Sequence, residues 1–345
     1  MGSPRYRWSR PAWPSLCGNH AGRGPVPEAR YLDVRSAMYG ADAYRRLCMS
    51  NSYNDSVSEL RTDPLTGIQV QVTGSRQKRP NLPTTGPTGC PFCVGGTESP
   101  EPYRVRVFPN RWPSFPDDRC EVVLYSPDHQ SRLSTMGDAA AAEVVELWTQ
   151  RTASLGSRPD ISYVLVFENN GPDVGATIAH PHGQIYAYPD VPPLPATELS
   201  RLADGHRLLE DHLELVVVER DGWRAWVPSA PIYPFGLRVA PLERRPDLMS
   251  LTSSERRAMA SVLAETLGRL EGVFDPPMPY MFWIHQRPTD GGDWPAAWMH
   301  VEIAGPHRAP GVMRYVAGAE LGSGSYLNPV VPADAAATLR AVPWR

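Results

Sequence analysis

A recurrence at a nearly constant offset restricts the fold more than any other feature of this chain. Asp138 to Leu155 reads as an amphipathic helix with Val144, Leu147, Trp148 and Leu155 on one stripe. An apolar run from Tyr163 to Phe167 and a short strand from Ile185 to Tyr188 follow it. In the second half, Thr252 and Glu255 make a capping box for a helix to about Leu270, with Met259, Val262, Leu263, Leu267 and Leu270 inward. Strands are then expected from Tyr280 to His285 and from Trp298 to Ile303. The helices start about 115 residues apart, the strands after them about 117, and His182 and His300 are separated by 118. The offset predicts an internal duplication of a strand–helix–strand–strand unit. Shorter strands flank it: Ile68 to Val72, Glu121 to Tyr125, a hairpin of Glu214–Val218 and Trp223–Val227 around Asp221-Gly222, and Leu237 to Ala240.

Composition matters here for what it excludes. At 41% hydrophobic and 21% charged residues, the 345-residue chain suits a packed globular protein rather than a disordered one. Its apolar runs fall short of the roughly 18–20 residues that span a bilayer, and prolines and charges interrupt any secretory core at the start. A net charge of −3 gives no footprint for binding a nucleic-acid polymer. The expectation is a cytoplasmic protein with small-molecule partners, no nucleic acid and no membrane. Residues 1–60 show little periodicity and read as a poorly ordered extension, with a true start at Met38 or Met49 as the bolder expectation. Five cysteines (Cys17, Cys48, Cys90, Cys93 and Cys120) make an odd set without secretory context, which disfavours a disulfide framework and raises a metal site.

The sharpest local motif is His180-Pro181-His182-Gly183-Gln184 at the entrance to the strand from Ile185. Spacing makes the two histidines neighbours without assigning them one job or two. Upstream lie Phe167-Glu168-Asn169-Asn170-Gly171 and Gly175-Ala176-Thr177, a polar loop whose amides suit phosphate oxygens. Cys90-Pro91-Phe92-Cys93 is half of a tetrahedral zinc site, and with no second C-x₂-C it is not a zinc ribbon. Arg76-Gln77-Lys78-Arg79-Pro80 gathers three cations, including the only lysine among 34 Lys+Arg. Taken singly, the loop reads as a solvated basic segment and the histidines as a structural pair.

Together these segments resemble the galactose-1-phosphate uridylyltransferase branch of the histidine-triad superfamily, from about Thr62 to the C-terminus. The resemblance implies an α+β fold of two tandem histidine-triad-like repeats, each an antiparallel sheet with packed helices, over residues 61–195 and 196–345. It makes His182 the nucleophile of a ping-pong exchange of UMP between UDP-glucose and galactose 1-phosphate, with Gln184 donating to the phosphoryl group. A neutral imidazole suits that role, being both nucleophile and tolerable leaving group. Arg76 and Arg79 match arginines on substrate phosphates, and Asn110, Asn169, Gly175 and Thr177 match substrate contacts. Arg314, Gly318 and Glu320 match a hexose-binding segment, although Ala319 and Tyr326 depart from it and Arg111 replaces an acidic residue. Cys90, Cys93, His129 and His180 match a structural zinc site. Glu198, His285 and His300 match a second site for zinc or iron, whose last position falls on Glu302 rather than a histidine. A homodimer is also implied. The rival readings are a nucleoside-diphosphate-sugar phosphorylase and a non-catalytic nucleotide-binding module, the latter disfavoured by the intact His182 and Gln184.

Overall fold

The computed structural model describes residues 58–78, 86–209 and 212–344, all within one unit from Asn54 to Arg345. The expected extension lies outside the described residues except at its end. There the boundary at residue 60 is corrected, because it falls inside β1 (Ser58–Thr62), which pairs with β2 (Gln69–Thr73). The side chains of β1 are mostly exposed, so its sequence carries little apolar alternation to reveal a strand.

Nine further strands form one antiparallel sheet: β3 (Arg106–Pro109), β4 (Cys120–Leu124), β5 (Tyr163–Asn170), β6 (His182–Tyr188), β7 (Val216–Arg220), β8 (Trp223–Trp226), β9 (Leu237–Pro241), β10 (Tyr280–His285) and β11 (His300–Ala304). Their order is β3-β4-β6-β5-β10-β11-β9-β8-β7. Read outward from the centre, one side runs β5-β6-β4-β3 and the other β10-β11-β9-β8. Corresponding strands begin 117 or 118 residues apart (163 and 280, 182 and 300, 120 and 237, 106 and 223). The expected duplication is therefore present, with the two half-sheets joined edge to edge where β5 pairs with β10 (Phe167 opposite Trp283). The β7–β8 turn at Asp221-Gly222 has φ of 53° and 78°, the left-handed pair that a two-residue hairpin requires.

Helices α1 (Asp138–Gly156) and α3 (Ser253–Glu271) pack on each other and on one face of the sheet. The capping box of α3 is closed in both directions: Glu255 N–H donates to Thr252 Oγ1, and Thr252 N–H donates to the Glu255 carboxylate. Val144, Val145, Trp148 and Leu155 of α1 meet Val164 and Val166 of β5 and Ile185 and Ala187 of β6. Each large side chain buried there contributes about 1.5–3 kcal/mol. The alternation of β6 leaves His182, Gln184, Tyr186 and Tyr188 on the opposite, half-buried face. Register places Phe167, Trp283, His285, His300, Glu302 and Arg238 on that same face. Among the described residues no helix is long and apolar enough to cross a membrane.

Glu168 is a buried charge-bearing group in the helix-covered layer. Burial pushes the Glu168 carboxyl up to about 7, against the bonds it accepts from Tyr280 and Asn170. Its folded-state value lies above that of the unfolded chain, so its stabilising contribution is complete below about pH 4.5 and fades as pH rises through about 7. Between pH 5 and pH 8 the wild type should lose about 2 kcal/mol relative to Glu168→Gln, read from urea unfolding of both proteins. Parallel pH profiles for the two would refute this.

Candidate active site and metal centres

β6 begins at His182 itself, earlier than the sequence pattern suggested, so the nucleophile candidate is fixed on a strand rather than carried by a loop. Its Nδ1 lies 2.8 Å from the His180 carbonyl oxygen. A carbonyl can only accept, so Nδ1 carries the proton and Nε2 the lone pair. Gly183 faces the helices, where a Cβ would come within 2.0 Å of the Tyr125 hydroxyl and 3.0 Å of the Phe167 carbonyl, so only glycine fits between the two histidine-face residues. Gln184 shares the face of His182, and its Oε1 accepts from Asn110 Nδ2 at 2.9 Å. That bond turns the amide nitrogen of Gln184 outward as a donor. Beside His182 lies a cleft of about 230 Å³ lined by residues 129–132, 168–172 and 176–182, which include Asn169 and Thr177.

Arg76 reaches the same region. Its Nη1 donates to the Trp112 carbonyl at 2.9 Å and Ser114 Oγ at 2.7 Å, and lies 3.5 Å from the Tyr186 hydroxyl. Tyr186 in turn stands 3.4 Å from Gln184 Oε1 and accepts from Ser114. Sequence reasoning missed Tyr186 and Ser114. Tyr186 was within reach of it, two residues beyond Gln184 on the same strand face. Arg79 lies outside the described residues. Gly175 closes the turn Pro172–Val174 with a φ of 86°, and its N–H donates to the Pro172 carbonyl, so any substrate contact here would use another atom than this amide. Arg314 and Glu320 do not line the cleft beside His182 and are buried as an ion pair. Arg314 also donates to the Leu327 carbonyl, and Glu320 accepts from the Ala317 and Leu327 amides, around the start of a short helix α4 (Gly318–Ser323).

Cys90, Cys93, His129 and His180 converge, with ligand atoms all within 4.8 Å of one another. Cys93 Sγ is 3.5 Å from His129 Nδ1 and 3.6 Å from His180 Nδ1. The other ring nitrogen of His180 lies 2.8 Å from the Ser126 carbonyl, which fixes its proton there and aims the Nδ1 lone pair at the thiols. Tyr103, also missed by sequence, braces that nitrogen at 2.9 Å. Burial pushes the His180 ring down to about 4, so it stays neutral, as a ligand must. Two thiols and two imidazoles suit a closed tetrahedral site that leaves no position for substrate.

A second group, Glu198, His285 and His300, also places its ligand atoms within 4.8 Å of one another. Glu198 sits on α2 (Pro193–Ala203), a helix that sequence reasoning did not find and whose start carries no side-chain cap. Glu198 Oε2 lies 2.6 Å from His285 Nδ1 and 3.5 Å from His300 Nε2. All three atoms are buried, and the contacts given for them are with one another. Two imidazole nitrogens and a carboxylate oxygen gathered in one buried spot are what a shared cation needs, so these residues fit a metal. Glu302, at the last position of the set that the resemblance implies, is outside the group of mutually close donors: its Oε1 lies 3.6 Å from His300 Nε2 and binds Arg238 Nε at 2.5 Å.

Comparisons with known proteins give the family of the chain. Residues 113–192 match the model of the galactose-1-phosphate uridyl transferase N-terminal domain, and residues 197–344 that of its C-terminal domain. The galactose-1-phosphate uridylyltransferase of Thermotoga maritima is 33% identical over 312 residues, 82% of this chain and 98% of that protein. The Streptomyces lividans protein of the same name is 37% identical over 254 residues, 68% of this chain and 71% of that one. Among solved structures, a uridylyltransferase superposes with a TM-score of 0.73 at 29% identity, covering 82% of this chain and all but 2% of the other. An ADP-glucose phosphorylase from Arabidopsis thaliana, with bound ADP-glucose, superposes at 0.67 with 26% identity, covering 84% of this chain and 100% of the other.

Proposed function

The chain belongs to the galactose-1-phosphate uridylyltransferase family, and we propose that it performs that family's exchange through His182. The observation that carries the reading is the lock of His182 Nδ1 on the His180 carbonyl beside the cleft, which leaves Nε2 as the reacting nitrogen. In the first step Nε2 attacks the α-phosphorus of UDP-glucose. The Nε2–P bond forms, the P–O bond to the β-phosphate breaks, and glucose 1-phosphate leaves with the electron pair. The ring becomes a uridylyl-imidazolium whose charge is stabilised by the carbonyl on Nδ1–H. In the second step a phosphate oxygen of galactose 1-phosphate attacks the same phosphorus, UDP-galactose forms, and the electron pair returns to Nε2. The acceptor is already anionic, so neither step needs a general base. Gln184 Nε2, oriented by Asn110, and the Arg76 guanidinium, oriented by Trp112 and Ser114, stabilise charge on the in-line phosphoryl oxygens.

We assign zinc to the Cys90, Cys93, His129 and His180 cluster on its S₂N₂ donor set. When bound, it braces the segment that presents His182. The thiols must stay reduced to hold it, which favours a cytoplasmic setting. We extend the homodimer implied by the resemblance to this chain as well; exposed Tyr315, Leu321, Tyr326 and Leu327 near α4 are apolar surface suited to a partner.

The test uses UDP-glucose labelled at the α-phosphorus. Acid-labile, base-stable label should appear on the protein and be discharged by galactose 1-phosphate. Discharge by inorganic phosphate alone would move the assignment to a phosphorylase, the activity named for the Arabidopsis relative. An unlabelled protein would end the covalent mechanism.

A further inference from the structure

We propose that the second metal centre is held by three protein ligands, Glu198, His285 and His300, and that Arg238 keeps Glu302 out of the coordination. The inference concerns metal binding alone and does not depend on the transfer reaction.

The pseudo-symmetry of the sheet supplies the first argument. His300 opens β11 as His182 opens β6, and Glu302 stands 118 residues from Gln184, at its place in the repeat. The two histidines are also held alike: His300 Nδ1 lies 3.1 Å from the Trp298 carbonyl, as His182 Nδ1 lies 2.8 Å from that of His180. Both rings thus present the Nε2 lone pair. In the first half His182 lines a cleft of about 230 Å³, room enough for a phosphoryl group. In the second, Glu198 of α2 and His285 of β10 close over His300 Nε2, leaving a space of about 10 Å³, enough for an ion but not a substrate.

The second argument is the fate of Glu302. It lies directly opposite Arg238 in the β9–β11 register, so the two side chains share a face. Their contact of 2.5 Å leaves the Glu302 carboxylate neutralised and 3.6 Å from His300 Nε2, outside the group of mutually close donors. A third is the state of the donors: Glu198 Oε2, His285 Nδ1 and His300 Nε2 are buried and turned toward one another, at 2.6 Å and 3.5 Å from the carboxylate oxygen, whereas Glu302 Oε1 is taken by Arg238. Two imidazoles and one carboxylate suit a zinc-class divalent cation with one position open. Beside it a cavity of about 150 Å³ is reached by Glu198, Arg238, Trp283 and Glu302, so a water or small oxygen anion can complete the shell.

The test is a metal count. The full-length protein is stripped with chelator, reloaded with Zn²⁺, and titrated against a chelating dye. Wild type should bind two equivalents, Glu198→Gln and His285→Asn one each, and Glu302→Gln two, with the weaker site changed by less than about threefold. Arg238→Met should tighten that site about tenfold, because Glu302 is released to join it. Loss of an equivalent in Glu302→Gln would overturn the three-ligand assignment, and an unaltered affinity in Arg238→Met would overturn the role given to Arg238. If the Glu198 and His285 variants fail to fold, Co²⁺-loaded wild type and Glu302→Gln decide: superimposable visible spectra support the assignment, and a shifted band refutes it.

Discussion

Replacing His182 by alanine should abolish the covalent label and lower turnover by about 10⁴-fold or more while leaving the fold intact. The size of the effect follows from what the ring does. It supplies the electron pair for one displacement and leaves in the next, so no neighbouring group can substitute for it. Losses of about 10⁴–10⁶ are the usual result when an enzyme nucleophile is removed and the surrounding charge-stabilising groups remain. The fold should tolerate the change because His182 is half-buried on the open face of β6, whereas Ile185 and Ala187 supply that strand's core contacts. Two measurements check it: quenched-flow labelling from α-labelled UDP-glucose, and thermal unfolding of both proteins. Retention of label in His182→Ala would displace the nucleophile to another side chain. Gln184→Ala makes an informative contrast. It should lower kcat while still forming label slowly, because Gln184 stabilises charge and donates no electron pair.

Most of the architecture was legible in the sequence, for a physical reason. α1, α3, β5 and β10 are buried on at least one face, and burial imposes the periodicity that can be read. The convergence of Cys90, Cys93, His129 and His180 was legible through spacing and family motif. Elements held by other means were not. β1 is exposed, β3 is only four residues long, and α2 starts at proline without a side-chain cap. The resemblance places Arg314 and Glu320 on ligand, and a sequence shows charge without showing its partner. In the structure each is the other's partner. Glu302 misled for the same reason: the sequence places it two residues from His300, but the opposing β9 register, which only the fold reveals, brings Arg238 onto it. Tyr103 and Ser126, which orient His180, come from loops 77 and 54 residues away from it, a separation over which no local pattern carries information.

Removing a ligand of the Cys₂His₂ site should damage both stability and catalysis, and Cys93→Ser is the variant to use. One residue couples the two effects. His180 directs Nδ1 to the thiol cluster, while its own carbonyl holds His182 Nδ1. A cation at the cluster therefore fixes the same residue that sets the tautomer of the nucleophile. Without it, burial and the neighbouring Cys90 push the Cys93 thiol up to about 11, so the pocket holds neutral, weakly paired groups. Binding a cation reverses that preference by taking thiolates, and its binding free energy adds to folding free energy. The expected result is one zinc fewer per chain, a Tm lower by about 10 °C, corresponding to several kcal/mol, and a fall in kcat larger than the change in KM. Cys120→Ser is the control. Cys120 is also buried, but its sulfur packs against the Phe115 backbone away from the cluster, so this variant should keep its zinc and its kcat. Lowering pH should release the metal from wild type, since protons compete for the thiolates and imidazoles. Zinc content equal in Cys93→Ser and wild type would show that these four side chains, however close, are not a metal site.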